Sequence, residues 1–469
     1  MTKKSTAPKN KKTFVPSDKI IQNYANVLVN FALNDGKGVG PDQVVYAIVP
    51  DWAKPMYGAL QTAILKAGAH PMMRYLPMGY EKDFFDIAND KQITFFPSEW
   101  TKALVDTIDH RIVILPLESP HGLEGVSPTK ILARARSAQK FREWLNDKEA
   151  AGKYTWTLAF WGTEEYAKEA GMTLEEYWEQ IINACYLSDP DPIESWKKTF
   201  VELERVRLTL QNMPIKRLHM TAEGTDLWIT LGEKRVWKAG SGRNIPSYEM
   251  FVSPDKRYTE GHVSFNEPLF YNGVRIENIR LTFKNGKVTE ANADTNEHIL
   301  RTMIAQPNAD YIGEFSMTDS RLSRITKPMC NTLFDENMGG KFGNSHLAVG
   351  MSYKDTYDGD PATLKPEDWE ALAAPSNPST ARESLSSNRG YFFVTIYLRA
   401  ALTAILPPGI NIPAASAPIS NRKSVSSTLP RYSRNIRLPL VTAPVTPSIS
   451  TMPSLPLLFQ WNWNAYTGR

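Results

Sequence analysis

The hydrophobic period of this chain changes once, near Ile215, and that change limits the fold more than any other feature. Before it, helical patterns alternate with short apolar runs. Residues 19–33 space their apolar side chains at helical intervals, 44–49 form a short apolar run between turn residues, and 55–67 are again helical and stop at Gly68. Runs at 72–76 and 111–115 read as further strands, so this part is expected to be an α/β domain with a mostly parallel sheet covered on both faces. Gly36-Lys-Gly-Val-Gly40 follows a helix and precedes a strand, the reverse of the order a dinucleotide loop requires, and reads as a helix-ending turn.

Two long helical patterns, 173–184 and 192–211, lead to the change of period. Beyond it, 216–220, 226–230 and 279–283 alternate as half-buried strands do. Asn285-Gly286 between two such runs marks a hairpin, since both residues tolerate positive φ. A helix over 294–305 with Thr295 as its cap completes an expected β-rich α+β domain. The expected division is a basic arm over 1–17, the α/β domain over 18–212, the β-rich domain over 213–371, and an irregular tail over 372–469.

That tail is set apart by composition. From residue 371 onward there are nine Lys or Arg and one acid, Glu383, so it carries 9 − 1 = +8, and the rest of the chain carries 4 − 8 = −4. A mildly acidic body lacks the basic stripe that nucleic acid needs, so no nucleic-acid partner is expected. Twelve prolines among the last 99 residues interrupt both periods. The tail reads as a translation in the wrong frame or an unrelated appendage. It is expected to pack poorly and to leave an edge of the β domain uncovered. The apolar run 391–406 is shorter than the ~20 residues of a membrane span and holds Arg399 at its middle, so no membrane crossing is expected. The N-terminus has no apolar segment behind its lysines, which argues against a secretory signal. Two cysteines, Cys185 and Cys330, are too few for a disulfide framework. A cytoplasmic location follows as an expectation.

Two isolated carboxylates and a histidine stand in distinctive settings. They are Glu249 in Asn244-Ile-Pro-Ser-Tyr-Glu249-Met, Glu314 in Ile312-Gly-Glu314-Phe, and His346 in Phe334-Asp-Glu-Asn-Met-Gly-Gly-Lys-Phe-Gly-Asn-Ser-His346. Oxygen and imidazole donors of this kind suit a divalent metal that keeps positions open for water and substrate. Neither a His-Glu-x-x-His helix nor a Gly-x-Ser-x-Gly elbow occurs.

At these motifs, and at Gly224-Thr-Asp-Leu227 and 186–196 upstream, the sequence resembles the aminopeptidase T and aminopeptidase S family of dinuclear metallopeptidases over about residues 18–370. The resemblance implies a metal-dependent aminopeptidase acting on peptides, as a homodimer, with Zn²⁺, Co²⁺ or Mg²⁺. It implies that Glu249 binds one metal, that Glu314 binds or bridges both while helping to move the proton, and that His346 completes the first. Tyr353, in Gly350-Met-Ser-Tyr353, matches a tyrosine that hydrogen-bonds the oxyanion, and glycines 339, 340 and 343 turn the backbone beside the metal. Glu336 reads equally as a supporting acid or a surface charge.

The family's pattern also requires a His-x-Asp pair beyond His346 for the second metal. The seven histidines stand at 70, 110, 121, 219, 262, 298 and 346, so the pair is absent. One ion or none is therefore expected to be held stably, with activity impaired. Two other readings are a non-catalytic homologue that keeps the fold, and an interaction protein whose working part is the proline-rich tail.

Overall fold

The computed structural model describes residues 14–271, 274–341, 343–350, 352–364, 368, 371–372, 393–398 and 401–405. Most of the basic arm and most of the tail lie outside the described residues.

Helix α1 (Asp18–Val27) starts where the Ser17 side chain accepts from the Ile20 amide, and a π-helical turn extends it over Leu28–Ala32. The Gly36–Gly40 segment is the helix-ending turn that its position suggests. Gly38 has φ +74°, and a Cβ there would lie 2.5 Å from the Asn30 carbonyl oxygen, so only glycine fits. Strands β1 (Val44–Pro50), β2 (His70–Leu76), β3 (His110–Ile114) and β4 (Thr155–Ala159) form a parallel sheet of order β2-β1-β3-β4. Between them run α2 (Lys54–Lys66), α3 (Glu81–Ile87), α4 (Asp90–Ile93), α5 (Ser98–Thr107), α6 (Pro128–Ser137) and α7 (Gln139–Ala150). All but the first residue of β1 is buried, as in a sheet covered on both faces, whereas edge strand β2 is largely exposed.

Helices α8 (Glu164–Glu169), α9 (Leu174–Ala184) and α10 (Pro192–Asn212) follow. Thr173 and Glu176 form a reciprocal capping box at α9, and the Asp191 carboxylate caps α10 ahead of Pro192. From here the strands are antiparallel: β5 (Arg217–Ala222), β6 (Thr225–Thr230), β7 (Lys238–Ala239), β8 (Glu249–Val252), β9 (Glu260–Ser264), β10 (Leu269–Tyr271), β11 (Val274–Ile276), β12 (Arg280–Lys284), β13 (Lys287–Asn292), β14 (Ile312–Thr318) and β15 (Asn344–Gly350). The hairpin at Asn285-Gly286 has φ +50° and +80° and joins β12 to β13. Helix α11 (Glu297–Ile304) differs from expectation at its start. Thr295 is not its cap; its hydroxyl accepts from the Glu277 amide and donates to the Arg275 carbonyl, and Asn296 enters the helix from a left-handed conformation. Helix α12 (Thr332–Asp335) precedes β15.

One apolar core runs beneath both kinds of sheet. It joins Val45 and Ile112 of the parallel strands to Trp178 and Trp196 of the helices and to Tyr248 and Phe334 beside the Glu249 and Glu336 segments. Buried hydroxyls fix this contact: Tyr248 donates to the Ala184 carbonyl at 2.6 Å, and Tyr177 to Met329 at 2.8 Å. Arg243–Ile245 also extends alongside β4, with Leu158 donating to the Arg243 carbonyl and accepting from the Ile245 amide.

The expectation of an uncovered edge is corrected. Strand β16 (Phe393–Leu398) pairs with β15 from Ser345↔Leu398 to Gly350↔Phe393, and β17 (Ala401–Ile405) pairs with β5. The sheets therefore read β16-β15-β14-β8-β7 and β13-β12-β9-β6-β5-β17. The physical reason is local: 391–406 holds no proline and is dense in aromatic and β-branched residues, so it keeps strand propensity inside a tail that otherwise lacks it. No helix among the described residues is long and apolar enough to cross a membrane.

Candidate metal centre

Three adjacent antiparallel strands bring the motif residues onto one sheet face. In the pairing of β14 with β8, Thr318 lies opposite Glu249; in its pairing with β15, Ser316 lies opposite His346. Side chains two apart share a face, so Glu314, Ser316 and Thr318 point the same way as their partners Glu249 and His346. A bulge between Ile312 and Glu314 locally re-registers β14 beside β15.

The result is a tight constellation. His346 Nε2 lies 2.9 Å from Glu314 Oε1 and 3.3 Å from Glu249 Oε2, and one ligand atom from each of the three residues lies within 4.8 Å of the others. All three side chains are buried. Ser316 orients Glu249 by donating to Oε2 at 3.0 Å. A third buried carboxyl, Glu336, follows α12; Asn244 Nδ2 donates to its Oε1 at 3.0 Å, and Thr318 and Asn344 donate to its backbone carbonyl. Glu336 is no surface charge.

Burial raises every carboxyl here. Glu249 is pushed up to about 7 by desolvation, with the imidazole of His346 opposing and the charge of Glu314 adding to the rise. Glu314 is pushed up to about 8 by burial and then by Asp355. Glu336 is held well above the usual carboxylate range by burial, Glu249 and Glu314. His346 moves the other way, since burial disfavours its cation more than Glu249 supports it. Three buried acids around one neutral imidazole fit a divalent cation: it would supply the missing positive charge, and each donor type is one that such ions accept.

The turn between Glu336 and His346 explains its glycines. A Cβ on Gly339 would lie 2.7 Å from the Ser323 carbonyl oxygen, and Gly340 and Gly343 have φ +50° and +82°. The amides of Gly339 and Gly340 both donate to the Ile325 carbonyl, which closes the loop.

Tyr353 follows β15 on the same side. Its amide donates to Ser253 Oγ at 2.9 Å, its ring lies 5.3 Å from that of Phe251, and its hydroxyl is held well above its ordinary value by burial and by Glu314, Glu249 and Glu336. Two residues on, Asp355 accepts from Arg243, which also binds Glu149 of α7, both at 2.8–3.0 Å. Arg243 thereby ties α7, the segment leading into β8 and the Tyr353 loop together. Sequence reading passed over this arginine, although it directly precedes the Asn244 motif.

The thermophilic metalloprotease (M29) family model matches residues 17–384. Aminopeptidase PepS of Streptococcus thermophilus is 26% identical over 360 residues, spanning 72% of this chain and 85% of that protein. Aminopeptidase AmpS of Bacillus subtilis (strain 168) is 32% identical over 260 residues, 51% of this chain and 62% of that one. The structure of wild-type AmpT from Thermus thermophilus matches with a TM-score of 0.65 at 19% identity, over 83% of this chain and 95% of its own, a likeness of fold.

Proposed function

The chain belongs to the thermophilic metalloprotease (M29) family, and from that premise we propose that it is a metal-dependent aminopeptidase whose centre on Glu249, Glu314 and His346 is incomplete. The observation that carries this reading is the convergence of two carboxyls and an imidazole, distant in sequence, within 4.8 Å. Its relatives are named aminopeptidases, which points to peptides as substrates.

When bound, a divalent cation supplies a water activated near neutral pH and a polarised scissile carbonyl. The protein's own groups do the rest. His346, kept neutral by burial, offers a ring lone pair, and Glu249 is aimed by Ser316. Glu314, beside His346 Nε2 in the centre, is the carboxyl proposed to take a proton and hand it to the leaving amine. Tyr353, its hydroxyl held protonated by burial, is the proposed donor to the oxyanion. His346 is the last histidine of the chain, so no His-x-Asp pair supports a second ion and turnover is impaired. Zn²⁺, Co²⁺ or Mg²⁺ is the expected ion, the assembly a homodimer and the compartment the cytoplasm; Cys185 and Cys330, neither in a disulfide, agree with reducing surroundings.

The test is metal titration of the purified chain beside His346→Ala and Glu314→Gln, by calorimetry and elemental analysis. Saturable binding in the native chain and its loss in both variants is the expected outcome. Undiminished binding in either variant would place the ion elsewhere.

A further inference from the structure

At the carboxyl end of the parallel sheet, a cavity of about 310 Å³ lies between the segment after β1 and the loop after β3. In the order β2-β1-β3-β4 this gap is where successive connections leave toward opposite sides, the position at which open α/β sheets take ligands. Trp52 comes from the first segment, Leu115 and Glu118 from the second, and Phe270 and Asn331 close the cavity from the antiparallel part. Neither Glu249, Glu314, His346 nor Tyr353 lines it.

Two of these wall residues carry buried N–H donors with no acceptor, Trp52 Nε1 and Asn331 Nδ2. Such groups are rare, because an unmade buried hydrogen bond is costly, and each calls for a partner. Asn331 is 3% exposed, and its other groups are occupied: its amide donates to Asp335 at 2.9 Å and its Oδ1 accepts from Leu333 at 3.1 Å. The side chain is thus fixed as a cap of α12 with its NH₂ left over. The charged groups of the wall are Glu81, Glu118 and Lys82, one positive against two negative, which disfavours an anionic acceptor. What remains is a neutral carbonyl beside apolar surface.

We propose that this cavity binds an uncharged peptide segment, whose carbonyl oxygens accept from Trp52 Nε1 and Asn331 Nδ2 and whose apolar side chain lies against Leu115 and Phe270. It deepens the peptidase reading, and rests on it only for the origin of the segment.

The probe is N-acetyl-leucinamide, which has two carbonyl acceptors and an isobutyl group but no free α-amine, so an aminopeptidase cannot cleave it. The full chain is used in EDTA, which keeps the result independent of the metal centre; failure of the peptidase reading is seen separately, in metal binding and leucine-anilide turnover. A saturable shift of the Trp52 indole N–H resonance, assigned by its loss in Trp52→Phe, is expected. Asn331→Ser keeps a capping oxygen for Leu333 but loses the longer side chain's NH₂, its hydroxyl lying back at the cap, so its affinity for the probe should fall roughly three- to tenfold, the size of one hydrogen bond. Trp52→Phe, at a partly exposed position, carries the same expectation by calorimetry and covers the case in which Asn331→Ser does not fold. An indole resonance that does not move, or folded variants that bind as tightly as the native chain, would overturn the proposal.

Discussion

Glu249, Glu314 and Glu336 are buried in one small volume, and without a cation they cannot all carry charge. This gives the centre a pH signature. Glu249 and Glu314 titrate near 4.5 when unperturbed and near 7 and 8 in the fold. A carboxyl raised in the fold contributes stability that is fully present below its unfolded value and lost as pH rises through its folded value. In EDTA this contribution is therefore present at about pH 4.5 and gone by about pH 8. A metal bound there would replace the protons and reverse the loss. The melting temperature is expected to rise more on adding Zn²⁺ at about pH 8 than at about pH 5, because binding at the lower pH must first displace protons. An equal rise at both would show that these carboxyls do not hold the ion. At this scale the sequence was legible through motifs. Glu249, Glu314 and His346 are brought together, whereas the buried place of Glu336 was hidden because one glutamate beside a glycine turn looks the same exposed or buried.

Among the elements, the strands that carry the centre were the hardest to read. Every described residue of β8, β14 and β15 is buried, so the polar and apolar alternation that betrayed β5, β6 and β12 is missing there. Their assignment needs the partner strands, which no local window contains. Strand β16 failed for the opposite reason: a window wide enough to see the prolines of the tail averaged away a strand of six residues. Its pairing with β15 gives a direct expectation. A chain ending after residue 372 leaves the β15 edge open, and should melt lower and aggregate through that edge, measured by calorimetry and light scattering. Unchanged melting and a monodisperse product would show that the β16 ladder adds nothing. Arg243 offers a second test between elements. Its side chain is 27% exposed and binds Glu149 and Asp355, so Arg243→Met leaves two partly buried acids without their cation and should cost about 1–3 kcal/mol in chemical denaturation, below the value for a fully buried pair. A cost near zero would mean that solvent screens the clamp.

For the whole molecule, the family match stands beside a proposed ligand set that lacks a His-x-Asp pair after His346. The family match over residues 17–384 spans the α/β part, strands β5 to β15 and the segment past Tyr353, yet no histidine follows His346. Three protein donors with a position left for water is the arrangement of many mononuclear hydrolases, so Glu249, Glu314 and His346 could hold one ion. A second ion would share Glu314 with the first and find no imidazole of its own. Catalytic groups that act as a unit lose far more than their individual shares when one is removed, so the deficit should appear in turnover more than in folding. The native chain is expected to bind one Zn²⁺ or Co²⁺ and to hydrolyse leucine anilide at least about 10²-fold more slowly than a chimera joining residues 1–370 to the corresponding C-terminal segment of the Streptococcus thermophilus PepS relative. In that chimera the stoichiometry should rise from one ion to two while the melting temperature changes less than the rate. Two tightly held ions and rapid turnover in the native chain would mean that donors beyond residue 372 complete the centre without a histidine, and the ligand-deficit reading would fall.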